Sequence, residues 1–553
     1  MIKMNKMKRY ISILNALCAG IAALSLAACT KEAAPQEPVE EKVLGVVDLS
    51  STQAVFPVEG GTKTVLVAAN SEWYYDCDYT WLSITASPED NTITFSADRN
   101  TTGKTRYGVV SVICGDEGLT ECKDIKVMQT CYPEALASDG VTANCYLVST
   151  GTTYSFPATV KGNGKGDGNS KYIENYGVEI EGAAYAELIW EATLDADRTR
   201  STQVIDGDPL YEDGKIYFTT GDQSGNAVIA VCAADGTVLW SWHIWVCGEE
   251  IGTKTDANGL VWMDRNLGAT SATPSDVQQN RGLFYQWGRK DPFLPSAAGY
   301  YDIPTIYYYD DDATSEKKYA EQTKLRPYAN VRNEQKGNGK RAFKAEEALI
   351  VYDAPGNAGF AVENPEKFLK VYAVYTGAIK IDWYIMAPGN ETAVQYASNL
   401  WGDTEADVAY KSIFDPCPAG YVVPRSSAFA TIPTDAGYKR IDTISEEGKD
   451  DVTDWEEDEN GYGFVWKSGG NAFFPKSGYL NYMGDIRRSS EEFLLWCADP
   501  TPEAVGDVWG RSNCLFFNAG RIFAGIEKQN SNYYDPVSFG ARAYAGSVRC
   551  VKE

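Results

Sequence analysis

Short runs of alternating apolar and polar residues dominate the early part of the chain. The clearest are TKTVLVAAN, NTITFSAD, GVVSVIC and DIKVMQT, which all lie between residues 62 and 130. Alternation with a period of two places the apolar side chains on one face of a β-strand, and the Gly, Asn and Asp residues between the runs favour turns. Because convincing helical repeats are few, the sequence predicts a mainly β fold. It begins with a small antiparallel β-sandwich over residues 44–131.

The charge of the chain limits its partners. The 553 residues include 76 acidic and 50 basic side chains, for a net charge of −26. Such an acidic surface repels phosphate backbones, so nucleic acid is not an expected partner. The length suggests about three or four domains.

The N-terminus resembles the signal peptide of bacterial lipoproteins. Residues 1–28 combine a basic start with the apolar run Ile11–Leu26, and Leu26-Ala27-Ala28-Cys29 matches the lipobox. The resemblance implies cleavage before Cys29, lipidation of that residue and a lipid anchor in the outer membrane, with the protein exposed at the cell surface. An ordinary secretory signal with a chance cysteine is the alternative. Residues 29–43 are rich in Pro and Glu and predict a disordered tether.

Residues 44–131 also resemble the BACON domain, an Ig-like module of Bacteroidetes surface proteins. The matching features include Gly60-Gly61, Trp81, Asn100, Arg106 and the closing Val-Met-Gln. The family name implies carbohydrate binding, although its members often serve as spacers. Trp73 and Trp81 could therefore be sugar platforms or core residues, and a small sandwich favours the core.

Residues 132–250 predict a second β-sandwich. Its sharpest strand is LWSWHIWV, residues 239–246, which places Trp240, Trp242, Ile244 and Val246 on one face. His243 on the other face is the only histidine of the chain. A catalytic triad or a two-histidine metal site would need this residue. Its tryptophan neighbours favour a packing role, so no catalytic residue is assigned.

Residues 251–553 carry four long motifs: WMDRNLGAT, GLFYQWGRKDPF, DPCPAGY and SVRCV. They resemble the Fibrobacter succinogenes major paralogous domain, which is related to the C-type lectin-like fold. The resemblance implies an α+β domain, here with an insertion at about 295–410. A late family block of the type Tyr-Trp-Ser-Ser-Thr is replaced by LWCAD at residues 495–499, where two serines are lost.

The same resemblance places a ligand site in the stretch 479–521. Aromatic faces beside hydrogen-bonding side chains suit sugars, and the predicted ligand-binding residues are Tyr482, Asp507, Trp509, Arg511 and Asn513. A lectin-type calcium site is not expected, because Glu363-Asn364-Pro365 has the wrong order and no Trp-Asn-Asp follows. The acidic run 310–312 offers oxygen ligands without the spacing of a calcium loop. No cofactor is therefore predicted.

Thirteen cysteines leave disulfide connectivity open. The candidate pairs are Cys417 with Cys550, Cys497 with Cys514, and Cys114 with Cys122. The first pair would close the C-terminal domain, the second would join neighbouring strands, and the third would bridge a hairpin turn.

The expected function is a non-enzymatic, lipid-anchored surface protein. It would present a lectin-like domain to host or dietary glycans or glycoproteins on two β-sandwich spacers. The alternative is an adhesive or structural component of a fimbria-like assembly that binds protein. A glycan-active enzyme is the third reading, because paired carboxylates need only proximity in space.

Overall fold

The computed structural model describes two long N-terminal stretches and shorter parts of the C-terminal region. The described residues are 42, 44–162, 178–192, 204–293, 344–347, 354–370, 374–375, 378–379, 383, 400–403, 410–429, 455–480, 486–487, 492–500, 512–518, 521–524 and 542–553. The predicted signal peptide, Cys29 and most of the tether lie outside them. Strands dominate, so the prediction of a mainly β protein is confirmed. None of the described helices is long and apolar enough to span a membrane.

The first domain is a sandwich of two four-stranded sheets. Its strands are β1 (Val47–Leu49), β2 (Gln53–Phe56), β3 (Gly61–Ala69), β4 (Trp73–Asp76), β5 (Leu82–Ser87), β6 (Thr92–Ala97), β7 (Arg106–Cys114) and β8 (Glu121–Gln129). One sheet has the order β1-β3-β6-β5 and the other β2-β8-β7-β4, with β2 parallel to β8. A short 3-10 helix, Pro88–Asp90, precedes a turn in which Asn91 takes a left-handed conformation.

Alternating residues of both sheets fill the core of this domain. Phe56, Val65, Phe95, Val110 and Ile125 are among its fully or almost fully buried side chains. The period-two pattern of the sequence therefore sorts side chains into core and surface as predicted. Each buried side chain of this size stabilises the fold by about 1.5–3 kcal/mol.

The second sandwich contains β9 to β16. These strands are β9 (Glu134–Ala135), β10 (Cys145–Val148), β11 (Thr153–Pro157), β12 (Tyr185–Ala192), β13 (Ile205–Glu212), β14 (Lys215–Thr220), β15 (Gly225–Cys232) and β16 (Val238–Val246). One sheet has the order β10-β16-β15-β12, and the other β13-β14-β11-β9. The second sheet contacts the first domain, because Leu210 packs against Val55 and Met128.

Strand β16 is buried on both faces because its sheet lies between two cores. Trp242 packs on Phe156 of the opposite sheet, with ring centroids 5.0 Å apart. On the other face, the indole of Trp245 donates to the carbonyl of Ala269, which belongs to the C-terminal region. One continuous cluster of buried apolar residues runs from the second sandwich into that region. The two parts therefore share a hydrophobic core, unlike spacers joined by a linker.

The C-terminal region contains many short strands. They are β17 (Thr253–Thr255), β18 (Val261–Met263), β19 (Phe284–Gln286), β20 (Lys344–Glu347), β21 (Lys367–Lys370), β22 (Val374–Tyr375), β23 (Ala378–Ile379), β24 (Gly402–Asp403), β25 (Tyr410–Lys411), β26 (Tyr421–Val422), β27 (Trp455–Glu457), β28 (Gly463–Trp466), β29 (Ala472–Pro475), β30 (Tyr479–Leu480), β31 (Ile486–Arg487), β32 (Phe493–Pro500), β33 (Ser512–Asn518), β34 (Arg521–Ala524), β35 (Ala545–Ser547) and β36 (Val551–Lys552). The helix α1 spans Ala354–Glu363, and a second 3-10 helix spans Ser426–Phe429.

Distant parts of the chain pair in this region. One sheet has the order β17-β18-β36-β26, so the last strand lies between strands that precede it by more than 100 residues. The largest sheet runs β31-β30-β35-β32-β33-β34, and β19 also pairs with β35. Strands β27, β28 and β29 form a three-stranded meander.

One predicted disulfide is present and a second is wrong. Cys417 and Cys550 are joined by a disulfide bond that closes a separation of 133 residues, which confirms this pair. Cys114 and Cys122 are separate thiols. The register places Ile113 opposite Cys122, so Cys114 points into the core while Cys122 points to solvent.

The third candidate pair lies on neighbouring strands, as expected. However, Cys514 lies opposite Trp496 and not opposite Cys497. Cys497 is a separate, buried thiol, so the predicted disulfide between Cys497 and Cys514 is wrong.

Candidate functional site

The four C-terminal motifs contribute charged and polar side chains to the interior. Arg265, Asn266, Arg289, Lys290, Asp291, Asp415 and Arg549 are all almost completely buried. Buried charges are costly unless they are paired and hydrogen-bonded, so each needs its partners within the fold. Their contacts decide whether the motifs form a site or a scaffold.

Lys290 and Asp291 connect the second motif to strand β16. The Lys290 ammonium donates to the carbonyl of Ser241 at 2.9 Å and to the Asp291 carboxylate at 2.7 Å. The Ser241 hydroxyl donates to the same carboxylate at 2.6 Å. The ammonium lies 4.5 Å from the centre of the Trp240 ring. Burial lowers the pKa of Lys290 to about 8, although the negative charge of Asp291 acts to raise it.

Lys411 and Asp415 organise the turn that carries the disulfide. The Lys411 ammonium donates to the carbonyls of Cys417 at 2.6 Å and Pro418 at 2.9 Å. The Asp415 carboxylate accepts from the amides of Cys417 and Val423. Burial raises the pKa of Asp415, and nearby Lys411 opposes that rise. These bonds are used inside the fold, so the motif DPCPAGY holds a turn in place.

The first and last motifs also bond to each other. The Arg549 guanidinium donates to the Asn266 side chain at 3.0 Å and lies 3.9 Å from the centre of the Phe474 ring. Burial lowers the pKa of Arg549 to about 9. The motifs therefore act as a scaffold in the described part of the region.

His243 is a buried hydrogen-bonding residue. Its Nε2 lies 2.8 Å from the Asn226 side-chain oxygen, and its Nδ1 lies 3.2 Å from the Tyr285 hydroxyl. The Asn226 nitrogen donates to the carbonyl of Gly268, so its oxygen accepts and His243 carries its proton on Nε2. Burial lowers the pKa of His243 to about 3, so the ring is neutral at physiological pH. The expected packing role fits these contacts.

The predicted ligand-binding residues fall largely outside the described chain. The structure does not describe Tyr482, Asp507, Trp509, Arg511 or the acidic run 310–312. Asn513 belongs to β33. Within the described residues, no group of three His, Cys, Asp or Glu side chains could hold a metal ion.

A cluster of aromatic rings lies on one side of the first sandwich. Strands β4 and β5 are edge strands of the two sheets, and residues 77–81 connect them. Tyr75 and Tyr79 are 36% and 39% exposed, and Trp81 is half-buried. The Tyr79 and Trp81 ring centroids are 6.5 Å apart at an interplanar angle of 60°. We call Tyr75, Tyr79 and Trp81 the aromatic side.

Two features hold the rings of the aromatic side in place. A Cβ atom on Gly108 would lie 3.1 Å from the Tyr79 ring, so the ring packs against the bare backbone at this glycine. The Arg106 guanidinium lies 4.6 Å from the centre of the Trp81 ring. Arg106 is itself oriented by two hydrogen bonds to the Gln129 side-chain oxygen, at 2.9 and 2.6 Å. The rings of Tyr79 and Trp81 are therefore held in place, and Tyr79 stays open to solvent.

The sequence signal for this cluster was the dense run YYDCDYTW, residues 74–81. Trp73, 6% exposed, belongs to the core, as a small sandwich favours. Tyr75 and Tyr79 were not predicted as site residues, because the ring-bearing edges of two sheets meet only in the folded domain. Asp78 lies beside the rings in sequence and adds a carboxylate acceptor.

Comparison with known families gives one match. Residues 60–130 match the family described as “BACON: Putative binding domain, N-terminal”. The prediction of a BACON domain in this part of the chain is thereby confirmed, and with it a domain class associated with binding. The lipoprotein nature of the chain and the Fibrobacter succinogenes major paralogous domain stay predictions. No curated protein matches the chain.

Solved structures share only limited similarity with the chain. A Bacteroides ovatus GH5 xyloglucanase in complex with a XXXG heptasaccharide is 14% identical, with a TM-score of 0.14, over 24% of this chain and 36% of that one. The endo-fucoidan hydrolase MfFcnA4 is 11% identical, with a TM-score of 0.13, over 36% and 27%. Mouse protocadherin-24 EC1-3 is 12% identical, with a TM-score of 0.13, over 36% and 70%. Scores this low support no functional argument.

Proposed function

We propose that this chain is a non-enzymatic carbohydrate-binding protein, anchored by lipid at Cys29 on the bacterial cell surface. Its BACON domain binds glycans through the aromatic side. A second, lectin-like site in the C-terminal region, centred on Trp509, is part of the proposal. The observation that carries it is the exposed ring of Tyr79, which packs on the backbone at Gly108 and lies beside Trp81.

The chemistry of the aromatic side suits a sugar ring. The apolar CH face of a sugar packs against an aromatic face, and its hydroxyls need neighbouring acceptors and donors. Tyr79 and Trp81 supply aromatic surface, while Asp78 supplies a carboxylate acceptor. Trp73 fills the core and Trp81 packs against it, whereas Tyr75 and Tyr79 are exposed for contacts outside the domain.

The architecture supports a role in presentation. The second sandwich and the C-terminal region share one core, so they form one packed unit. The described motif side chains make their contacts within the fold, which favours a scaffold over a catalytic cleft.

The test is a glycan array with the purified chain from residue 30 onward, followed by calorimetric titration of each positive glycan. Loss of one stacking ring costs about 0.5–1.5 kcal/mol, so Tyr79→Ala should weaken binding about 2–13-fold. Tyr74→Ala is the matched control. Tyr74 neighbours Tyr75, is 56% exposed and points to the opposite face of β4.

The outcomes separate the candidate functions. Binding that survives Tyr75→Ala and Tyr79→Ala but is lost with Trp509→Ala would move the site to the C-terminal region. A folded chain that binds no glycan on the array would refute the proposal. The protein-binding, adhesive assembly would then be the better explanation.

A further inference from the structure

The outer face of the sheet β1-β3-β6-β5 carries an array of hydroxyl groups. Strands β3, β6 and β5 are in register, and their outward residues form rows across the sheet. Two of these rows are Thr62–Ser96–Ser83 and Thr64–Thr94–Thr85. The next row is Leu66–Thr92–Ser87. We call these nine residues the hydroxyl face.

The nine residues of the hydroxyl face carry no charge, although 23% of the chain is charged; the outward Asp48 of β1 lies at the far edge of the same sheet. Exposed surfaces of soluble domains are about 25–35% charged, so about two or three charges would be expected among nine residues. Leu66 is 59% exposed, so the middle of this sheet is open to solvent. The second domain packs on the other sheet, where Val55 and Met128 contact Leu210.

The hydroxyl groups are partly ordered by one another. Thr62 and Ser96 hydroxyls are 3.2 Å apart, and those of Thr64 and Thr94 are 3.0 Å apart. Each hydroxyl has one hydrogen to donate and two lone pairs, so a single bond within a pair leaves further capacity. The rows repeat about every 6.8 Å along the strands, and neighbouring strands lie about 4.8 Å apart. Ser87 in the third row donates instead to a neighbouring carboxylate at 2.7 Å, so the first two rows form the regular lattice of neutral donors and acceptors.

The hydroxyl face is continuous with the aromatic side through strand β5. The Tyr75 hydroxyl lies 3.5 Å from the carbonyl oxygen of Ile84, at the free edge of β5. Ser83 and Thr85 flank Ile84 and project from the outer face. A ligand lying on the rings therefore reaches the first hydroxyls by crossing one strand edge.

We propose that the aromatic side and the hydroxyl face form one track for a long, neutral polysaccharide chain. This inference rests on the proposed function and specifies its ligand. A chain of net charge −26, with Asp78 next to Tyr79 in sequence, disfavours uronic or sulfated glycans. A neutral polymer avoids that repulsion and offers repeated hydroxyls to the lattice.

A second copy of this chain fits the face less well. Three rows across three strands cover roughly 300 Å² at standard strand spacings, whereas a stable interface buries about 800 Å² per partner. A flexible polymer needs no such area, because each repeat adds its own contacts along the track.

The experiment compares chain lengths and two sets of variants. Its probes are cello-, manno- and xylo-oligosaccharides of two to six units, hydroxyethylcellulose, galactomannan and neutral xylan, with polygalacturonate as the anionic counterpart. The double variant Thr64→Val, Thr94→Val removes two hydroxyls and keeps β-branched side chains that suit a strand. Ser111→Ala, on the other sheet, is the matched hydroxyl control.

At least one neutral polymer should bind about tenfold more tightly than its hexasaccharide, and polygalacturonate should bind more weakly than that polymer. The double variant should weaken polymer binding about 3–10-fold while oligosaccharide binding changes less than about twofold. Tyr79→Ala should weaken both, and Ser111→Ala neither.

Equal affinity for polymer and hexasaccharide, or a double variant that matches the parent, would overturn the track and leave the proposed function intact. Dimers in sedimentation that the double variant abolishes would also overturn it, since the face would then be a contact between copies. No binding to any probe or array glycan by a folded chain would remove the proposed function and the track together.

Discussion

Asn144 offers a direct test of the shared core between the second sandwich and the C-terminal region. It is buried beside strand β16, and its side chain makes three hydrogen bonds. The amide nitrogen donates to the carbonyls of Ile413 at 2.6 Å and Asp415 at 2.8 Å. Its oxygen accepts from the Trp240 indole at 3.0 Å. One side chain thus ties the sandwich to the turn that precedes Cys417.

Asn144→Ala leaves two carbonyls and one indole N–H without these partners. An unsatisfied buried polar group costs about 1–3 kcal/mol. Entry of water into the vacated space favours the lower part of that range, so we expect a loss of about 3–6 kcal/mol in the free energy of unfolding. Asn144→Asp should cost at least as much, because it keeps the shape but turns a buried carboxylate toward two carbonyl oxygens.

The measurement is guanidinium denaturation followed by tryptophan fluorescence, with Trp240, Trp242 and Trp245 as reporters at the junction. A shared core predicts that the sandwich and the C-terminal region unfold in one transition. Asn460→Ala, at an exposed turn, is the control and should change stability by less than about 0.5 kcal/mol. An Asn144→Ala variant as stable as this control would refute the reasoning, as would separate transitions of the two parts in the parent chain.

Three further predictions concern contacts that join separate parts of the fold. Replacing Cys417 and Cys550 by serine should lower the free energy of unfolding by about 5 kcal/mol relative to the oxidised parent, according to the chain-entropy model. Equal denaturation midpoints for the variant and the parent would contradict this prediction. His243 is neutral when folded and binds a proton when unfolded between its folded pKa of about 3 and the ordinary value of 6.5, so stability should fall as the pH drops through this window. The free energy of unfolding should fall by about 2 kcal/mol from pH 7 to 5, and His243→Gln should reduce this dependence on pH. An unchanged dependence would contradict the prediction. Gln53 bonds the backbone of Ala186 and Tyr211 across the first joint, so Gln53→Ala should increase the radius of gyration in X-ray scattering, whereas an unchanged profile would assign the joint to other contacts.

Local patterns predicted the first domain well. Its core alternates with period two, and Trp73 enters the core, because burial in a two-sheet sandwich follows from strand periodicity. The same reasoning missed Tyr75 and Tyr79, since alternation alone does not tell which strand edges will meet. It also mispaired Cys114 with Cys122, because a one-residue change in hairpin register reverses the face of a side chain.

The C-terminal motifs show a second limit of prediction from sequence. Their residue types, with Asp, Arg and aromatic rings close together, resemble those of a binding site. Only the fold reveals that Lys290, Asp415 and Arg549 are buried and bonded within it. Sequence patterns record residue type and spacing, whereas burial depends on what packs above a residue from elsewhere in the chain.

The sequence by itself determined the β class, the strand faces of the first sandwich and the BACON module, because these depend on neighbouring residues and a local period. Tertiary structure decided that β16 lies between two cores, that Cys417 meets Cys550 across 133 residues, and that edge strands β4 and β5 gather aromatic rings beside a hydroxyl face. These features join residues far apart in the chain, and their free energy comes from packing that no local pattern encodes.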